Sequence, residues 1–350
     1  MFDVAVIGAG VAGLTVAQQL QQCGYAVVVV DKSRGVGGRA ATRRLHGTRA
    51  DHGLRYLEPV GEMSQHLVKV LCDRNILQLW THKVDSCQSK IQNPKSKIPR
   101  YVASEGMNAI AKFLATGLQI QLNQRVQAIT ATDDKIWHLG FEAAENITAK
   151  AVVVAIPAPQ AFMLLEPLAE SILPAEFVDK LRSVLFDPCL AVIAGYPGRG
   201  ELNLEWNSTV FSDNSDLAWI GLDSSKRPNA EFPVFVMHSS AEFAKNYIDA
   251  EDLNPVAQHL LATAATELNL SWFAVPEWFQ IHRWRYAFPS HPLQSAFLDA
   301  QTSLPLICCG DWCGGNLVES ALNSGLAAAE QINRQLRNLS LPGASFFDTL

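Results

Sequence analysis

The first thirty-one residues hold the strongest constraint on the fold. FDVAVIG, from Phe2 to Gly8, is an apolar run of strand length that ends in glycine. VAGLTVAQQLQQCG then has helical periodicity and closes on Gly24, and YAVVVVD is a second run of buried-strand type. Strand, helix and strand in that order make a βαβ unit, so the chain begins an α/β fold. Within the unit Gly8, Gly10 and Gly13 form G-x-G-x-x-G. One glycine permits the tight turn, one admits backbone amides to a pyrophosphate, and one lets helix and strand pack closely. The helix N-terminus, with Val11 and Ala12, turns its positive dipole end to that anion. Asp31, at the end of the second strand, suits hydrogen bonds to an adenosine ribose and repels a 2′-phosphate, which favours FAD or NAD over NADP; alone, it would only start a turn.

Directly after that strand comes KSRGVGGRAATRR, Lys32 to Arg44, a second glycine-rich and basic segment. A long, doubly phosphorylated cofactor needs such a segment, and FAD is longer than NAD on the side away from the adenosine. Lys32, Ser33, Gly38, Arg39 and Ala40 are its candidate contacts; without the preceding βαβ unit the arginines would read as a solvated charge run.

At 350 residues, 48% hydrophobic and 18% charged, the chain is long enough for two domains and apolar enough to fold throughout. A net charge of -6 with arginines scattered along the sequence supplies no field for a phosphate backbone, so nucleic acid is not an expected partner. Seven cysteines without a paired C-x-x-C framework suit a reducing compartment, the cytoplasm. Cys309 and Cys313 lack neighbouring histidines, and no metal is expected. The N-terminus has no basic region before its apolar run, and no uncharged stretch reaches the roughly 20 residues of a membrane span, so the expectation is a soluble protein with no membrane partner.

Further along, SEGMNAIAKFL reads as a loop and a short helix from about Met107, NQRVQAITATDDKIWHLGFE as a hairpin turning at Asp133 and Asp134, and AKAVVVAIPAP as a buried strand stopped by two prolines. Residues 160–290 then change character. They carry five of the eight tryptophans among short strands such as CLAVIAGY, LAWIGLD and FPVFVMHSS, which predicts an antiparallel sheet shaped as a substrate cup, covered by the helical segment that follows His238. In IHRWRYAFP the alternation puts His282, Trp284 and Tyr286 on one face of a strand and Arg283 and Arg285 on the other. Core packing is the commoner fate of a tryptophan or a strand histidine, so Trp284 and His238 carry both readings.

SEGMNAIAKFL, AIPAP, LAWIGLDSSKRPN, FVMHSS, HRWRYA and CCGDWCGGNLVESALNSG recur in the same order in the renalase-like proteins of the FAD-dependent amine oxidase superfamily, which this chain resembles over nearly its whole length. The resemblance implies a Rossmann-type FAD-binding domain of the glutathione-reductase and p-hydroxybenzoate-hydroxylase kind (residues 1–65, 101–160 and 290–350) interleaved with a substrate domain of antiparallel sheet and helices (66–100 and 161–289). It implies that FAD is bound non-covalently, with Val126 holding adenine by its backbone, and with Gly53, Leu54 and Arg55 in ADHGLRYLEP against the flavin ring. Gly310 and Asp311 then meet the ribityl and pyrophosphate region, and Glu319, Ser320 and Ala321 bring a helix N-terminus to the pyrimidine side of the ring. It implies a substrate slot lined by Tyr56, His238, Trp284 and Tyr286, with Arg55 as anchor for a nucleotide tail.

Amine oxidases commonly place a tyrosine two positions before the residue matching Glu319, and this chain has Leu317 there. The resemblance to the renalase-like proteins implies instead oxidation of the 2- and 6-dihydronicotinamide isomers of NAD(P)H to NAD(P)+, with dioxygen reduced to hydrogen peroxide. The alternatives are a flavin amine oxidase or desaturase, and a flavin-holding protein without turnover. Neither sequence nor resemblance fixes the oligomeric state.

Overall fold

The computed structural model describes residues 1–82, 98–132, 135–142, 144–198, 204–212 and 216–350, and the backbone of 85–86. The turn expected at Asp133 and Asp134, like Cys87, lies outside the described residues. Two sheets organise the rest.

In the eight-stranded sheet Phe2–Ile7 lies between Val27–Val30 and Ile147–Val154, parallel to both. Ile120–Gln121 extends the sheet beyond Val27–Val30, and Leu306–Cys308 and Leu298–Asp299 extend it on the other side. Ile147–Val154 changes partner along its length. Its first half pairs antiparallel with Trp137–Phe141, which pairs in turn with Val126–Ala131; its second half pairs parallel with Leu306–Cys308. The sequence ITAKAVVV explains the change: Thr148 and Lys150 alternate with buried residues where one face is open, and Ala151 to Val154 are all buried where both faces are covered.

That double burial separates two apolar layers by strand alternation. Val4, Val6, Val27, Val29, Ala151 and Val153 face one layer, with helices Val11–Gln22, Glu62–Asp73, Asn108–Leu114 and Val318–Leu336. Ala5, Ile7, Val28, Val30, Val152 and Val154 face the other, with the meander and helices Ala158–Leu165 and Ala175–Ser183. The two ends of the chain meet in the first layer. A Cβ at Gly325 would lie 2.6 Å from the Ala12 carbonyl oxygen, so its absence lets the last long helix press against the first.

The six-stranded sheet has the order Trp278–His291, Leu185–Gly195, Val234–Ser239, Leu217–Leu222, Ser208–Val210, 85–86, antiparallel except at the last pair. One face carries Leu190, Val192, Ile220, Phe235 and Met237 under helices Ala241–Tyr247 and Asn254–Glu267. On the other face the register lines up Trp219, His238, Ala191 and His282 in one row across four strands.

A buried ionic knot fixes that face relative to the N-terminal segment. Asp51 ends the hairpin Thr42–Leu45 and Thr48–Asp51, and Asp223, Lys226 and Arg227 lie in and after a turn beyond the second sheet. Lys226 Nζ stands 3.2 Å from Asp51 Oδ2 and 2.7 Å from Asp223 Oδ1; Arg227 bridges the same acids at 3.2 Å and 2.6 Å. Two charges of each sign cancel where water cannot reach, and Asp51 also accepts from Thr42 Oγ1 and the Met107 amide. Burial would push the Asp51 carboxyl up, but Lys226 and Arg227 hold it below its ordinary value. The loop from His52 to Tyr56 starts from this anchored residue.

Candidate active site

A cleft of about 2060 Å³ runs from the glycine turn, past the second sheet, to the start of the last long helix. At one end helix Val11–Gln22 opens on Gly10 with no side-chain cap, leaving the amides of its first turn for a ligand in the cleft. Gly8 has φ 111°, and a Cβ there would lie 2.5 Å from the Ala155 carbonyl oxygen. Gly13 does not line the cleft; a Cβ on it would meet the Gly8 carbonyl oxygen at 2.0 Å, so it serves the close packing of helix on strand. Asp31 accepts from the Ala9 amide at 2.7 Å and from the Ser33 amide at 2.7 Å, tying the glycine turn to the next segment at the cleft wall.

Lys32, Ser33, Gly38, Arg39, Ala40 and Val126 also line the cleft, as do Gly53, Leu54, Gly310, Asp311 and Ala321. Arg39 grips Asp311 with both guanidinium nitrogens, at 2.6 Å and 2.8 Å. A Cβ on Gly53 would meet the Arg39 carbonyl oxygen at 2.0 Å and the Trp284 ring at 3.2 Å, so the loop passes there only as glycine. Ala155, Ile156, Pro157 and Trp312 complete this stretch; Trp312 is fully buried and donates from Nε1 to the Ile156 carbonyl at 3.1 Å.

Glu319 and Ser320 stand elsewhere. Of the three residues expected to bring this helix N-terminus to the ring, Ala321 lines the cleft, while the Glu319 side chain accepts from the amides of Ser64 at 2.6 Å and Met63 at 3.3 Å, capping helix Glu62–Asp73, whose own cap residue is Gly61. A side chain on a helix leans back toward its N-terminus, and from Val318–Leu336 that direction leads to the neighbouring helix end. Ser320 turns toward Gly315, where a Cβ would lie 2.4 Å from its Oγ.

The far end of the cleft is an aromatic chamber built around one backbone oxygen. The His52 carbonyl accepts from Trp284 Nε1 at 2.8 Å and lies 3.2 Å from His238 Nε2. Arg55 Nε donates to His238 Nδ1 at 2.9 Å; since arginine only donates, the histidine proton sits on Nε2 and points at that carbonyl. The Arg55 guanidinium lies 4.8 Å from the Trp219 ring centroid. His52 stacks on Trp284 at 5.3 Å, and His282 meets both edge-on at 4.5 Å. Tyr286 lies edge-on to Phe186, and Tyr56 lies near Trp80 with the Arg100 guanidinium over its ring. Tyr56, His238, Trp284 and Tyr286 thus share one chamber with His282, which strand alternation had put on the face of Trp284, and with His52, which no strand pattern marked as a wall residue.

The electrostatics of the chamber are one-sided. Burial depresses His238 well below its ordinary value, with the Arg55 charge adding to the effect. Burial, then His282 and Arg43, take His52 down to about 3; burial and Arg43 take His282 to about 4. All three rings are neutral at pH 7. The carboxylates lining the cleft are engaged: Asp31 by amides, Glu58 by Arg100 at 2.9 Å, Asp311 by Arg39. Lys32, Arg34, Arg43, Arg44, Lys112 and Arg125 line the same cleft, and none has a carboxylate partner among the described residues. Arginines scattered in the sequence therefore converge in space, and a chain of net charge -6 presents a cationic cleft.

Comparison with known proteins decides which family built this cleft. Residues 91–333 match the family described as flavin containing amine oxidoreductase, and residues 6–73 match a NAD(P)-binding Rossmann-like domain. The chain belongs to the flavin-containing amine oxidoreductase family.

Among curated members it is 34% identical over 96 residues to flavin-containing amine oxidase B of Rattus norvegicus, 27% of this chain and 17% of that one. Its matches to the first such relatives span 13% to 17% of their lengths. Putrescine oxidase bound to putrescine superposes with a TM-score of 0.70 at 14% identity, covering 95% of this chain and 99% of the other. Cyclohexylamine oxidase from Brevibacterium oxydans gives 0.69 at 13% identity, over 96% and 99%. At such identities these structures share the fold.

The cleft fits the family's FAD at both ends. Uncapped helix amides stand at Gly10, and helix Val318–Leu336 likewise begins at Leu317 without a side-chain cap. Between them glycines stand where a Cβ would collide with backbone, and the Asp31 carboxylate stands beside the glycine turn. Family membership makes FAD the cofactor, held without a covalent bond. Of the described cysteines only Cys189 lines the cleft, and burial pushes its thiol up to about 11, which leaves it un-ionised and inert.

Proposed function

We propose that this FAD-dependent oxidoreductase is an oxidase of the renalase type, which oxidises 2- and 6-dihydronicotinamide isomers of NAD(P)H to NAD(P)+. Bound FAD supplies a two-electron acceptor at N5 and passes the electrons to dioxygen. The overall balance is dihydronicotinamide nucleotide plus O2 plus H+ giving the nicotinamide nucleotide cation and H2O2.

One observation carries the reading: the chamber joins flat aromatic walls to unneutralised arginines, and every carboxylate in its lining is already engaged. A protonated amine would find cations and no counter-charge, whereas a nucleotide brings negative phosphates. Leu317, 48% exposed, provides no aromatic partner where amine oxidases commonly have a tyrosine. Hydride loss from a dihydropyridine needs no base, and His238 Nδ1 is in any case occupied by Arg55. In this reading Trp284 and Tyr286 orient the ring, Tyr56 and His238 close the slot, and Arg55 holds His238 in one tautomer.

We assign residues 1–65, 101–160 and 290–350 to FAD and residues 66–100 and 161–289 to the substrate. Among the described residues no helix is long and apolar enough to cross a membrane. The reading adds a cytoplasmic location, supported by the cysteine pattern.

The test is anaerobic stopped-flow mixing with 6-dihydro-NAD, 2-dihydro-NAD and a panel of primary amines. The flavin is expected to bleach within seconds with a dihydronicotinamide isomer and to reoxidise in air with peroxide release. A flavin that stays oxidised for minutes with both isomers, yet bleaches with an amine, moves the protein to the amine oxidase reading.

A further inference from the structure

Arg43 has so far counted only as one of the unpaired cations of the cleft. It stands opposite Ala50 in the hairpin Thr42–Leu45 and Thr48–Asp51. Thr42, on one face of that strand, bonds to Asp51; Leu45, on the other, packs with the cluster of Ile193, Trp219 and Trp278 on the chamber side of the second sheet. Alternation puts Arg43 on the face of Leu45. Its guanidinium lines the chamber, half-buried, close enough for its charge to bear on both His52 and His282. Among the described residues it has no carboxylate partner and no hydrogen-bond acceptor. A partly desolvated guanidinium beside two neutral rings is uncompensated until an anion arrives.

Arg55, expected from the sequence to anchor a nucleotide tail, is committed differently: its Nε is given to His238 and its plane lies over Trp219. Arg43 keeps its whole fork free on the side of His282, and the exposed Arg44 follows it toward solvent.

We propose that Arg43 binds the 5′-phosphate of the dihydronicotinamide nucleotide, so that the chamber selects nucleotides over the phosphate-free nucleoside. The inference rests on the renalase-type reading and names its substrate class more narrowly. A planar, bidentate donor suits a phosphate that must be held at a fixed angle from the ring, and lysine would keep the charge while losing the angle.

The experiment uses the FAD-loaded protein and its Arg43→Met and Arg43→Lys variants. Two readouts are taken: the substrate concentration dependence of flavin reduction by 6-dihydronicotinamide mononucleotide and by its riboside, and the perturbation of the oxidised flavin spectrum by nicotinamide mononucleotide, which needs no turnover. Arg43→Met is expected to weaken mononucleotide binding about 10- to 100-fold in both readouts, with a far smaller effect on riboside binding and Arg43→Lys intermediate. Equal binding of nucleotide and riboside by the wild type, or equal loss of both in Arg43→Met, overturns the proposal. If no dihydronicotinamide reduces the flavin while mononucleotide binding still depends on Arg43, phosphate recognition stands and the reading of the reaction falls alone.

Discussion

Arg39 and Asp311 are 272 residues apart in sequence and form a two-pronged ion pair, Nη2 to Oδ1 at 2.6 Å and Nη1 to Oδ2 at 2.8 Å. The same guanidinium donates to the Ala287 carbonyl at 3.2 Å and lies 5.7 Å from the Phe186 ring centroid. One side chain therefore joins the basic glycine-rich loop, the end of the long substrate-side strand and the C-terminal segment. Arg39→Lys keeps the charge and loses the fork. It is expected to weaken FAD retention by about 10- to 100-fold, as a lost charge-assisted hydrogen bond predicts. Titration of apoprotein with FAD, followed by quenching of flavin fluorescence, measures it.

Lys226 is fully buried between Asp51 and Asp223. Lys226→Met leaves two acids with only Arg227 between them, and an uncompensated buried charge destabilises by about 3–5 kcal/mol. The midpoint of urea unfolding is expected to fall accordingly. Because Asp51 precedes the chamber loop, the variant is also expected to retain FAD less well at temperatures where it is still folded.

The three chamber histidines give the stability a direction in pH. Each has a folded-state value depressed below the ordinary 6.5, to about 3 for His52, about 4 for His282 and well below for His238. The unfolded chain then binds more protons than the folded one below pH 6.5, so the stability from keeping these rings neutral is complete above that value and is lost as pH falls toward 4. Urea midpoints of the FAD-loaded protein are expected to be level above about pH 7 and to decline from about pH 6.5 to 4.5, before most carboxylates titrate. His238→Gln is expected to make the decline shallower. An unchanged slope in that variant would count against a neutral His238.

Glu319 is expected to matter for stability and not for the flavin. Glu319→Ala removes the acceptor for the amides of Ser64 and Met63, a lost helix cap of about 1 kcal/mol. The melting temperature should fall by about 1–3 °C, with FAD affinity unchanged. A clear loss of FAD affinity would return Glu319 to the cofactor.

Much of the FAD cradle is legible in the sequence because its signals are local. Gly8, Gly10 and Gly13 are read from one strand-turn-helix, and the alternation in HRWRY by itself puts His282, Trp284 and Tyr286 on one wall. What stays hidden are pairings across long loops. Nothing near Arg39 names Asp311, nothing near Asp51 names Lys226, and the oxygen that gathers Trp284 and His238 is a backbone atom without any residue signature. The carboxylate of Glu319 also has a partner that the sequence does not name: an acid in the first turn of a helix looks like a charge set for that helix's own dipole, and here it caps the next helix. The SSKR segment does offer a hint, since a lysine and an arginine directly after the apolar LAWIGLD must find acids if they are drawn inside.

Because the indole of Trp284 and the imidazole of His238 converge on the same oxygen of His52, two strands of the smaller sheet are gauged against a single point of the N-terminal loop. Each ring is held by its own hydrogen bond to that shared oxygen. Moving the His52 carbonyl would therefore shift both walls of the slot together, whereas losing one of the two rings would leave the other still tied to the loop.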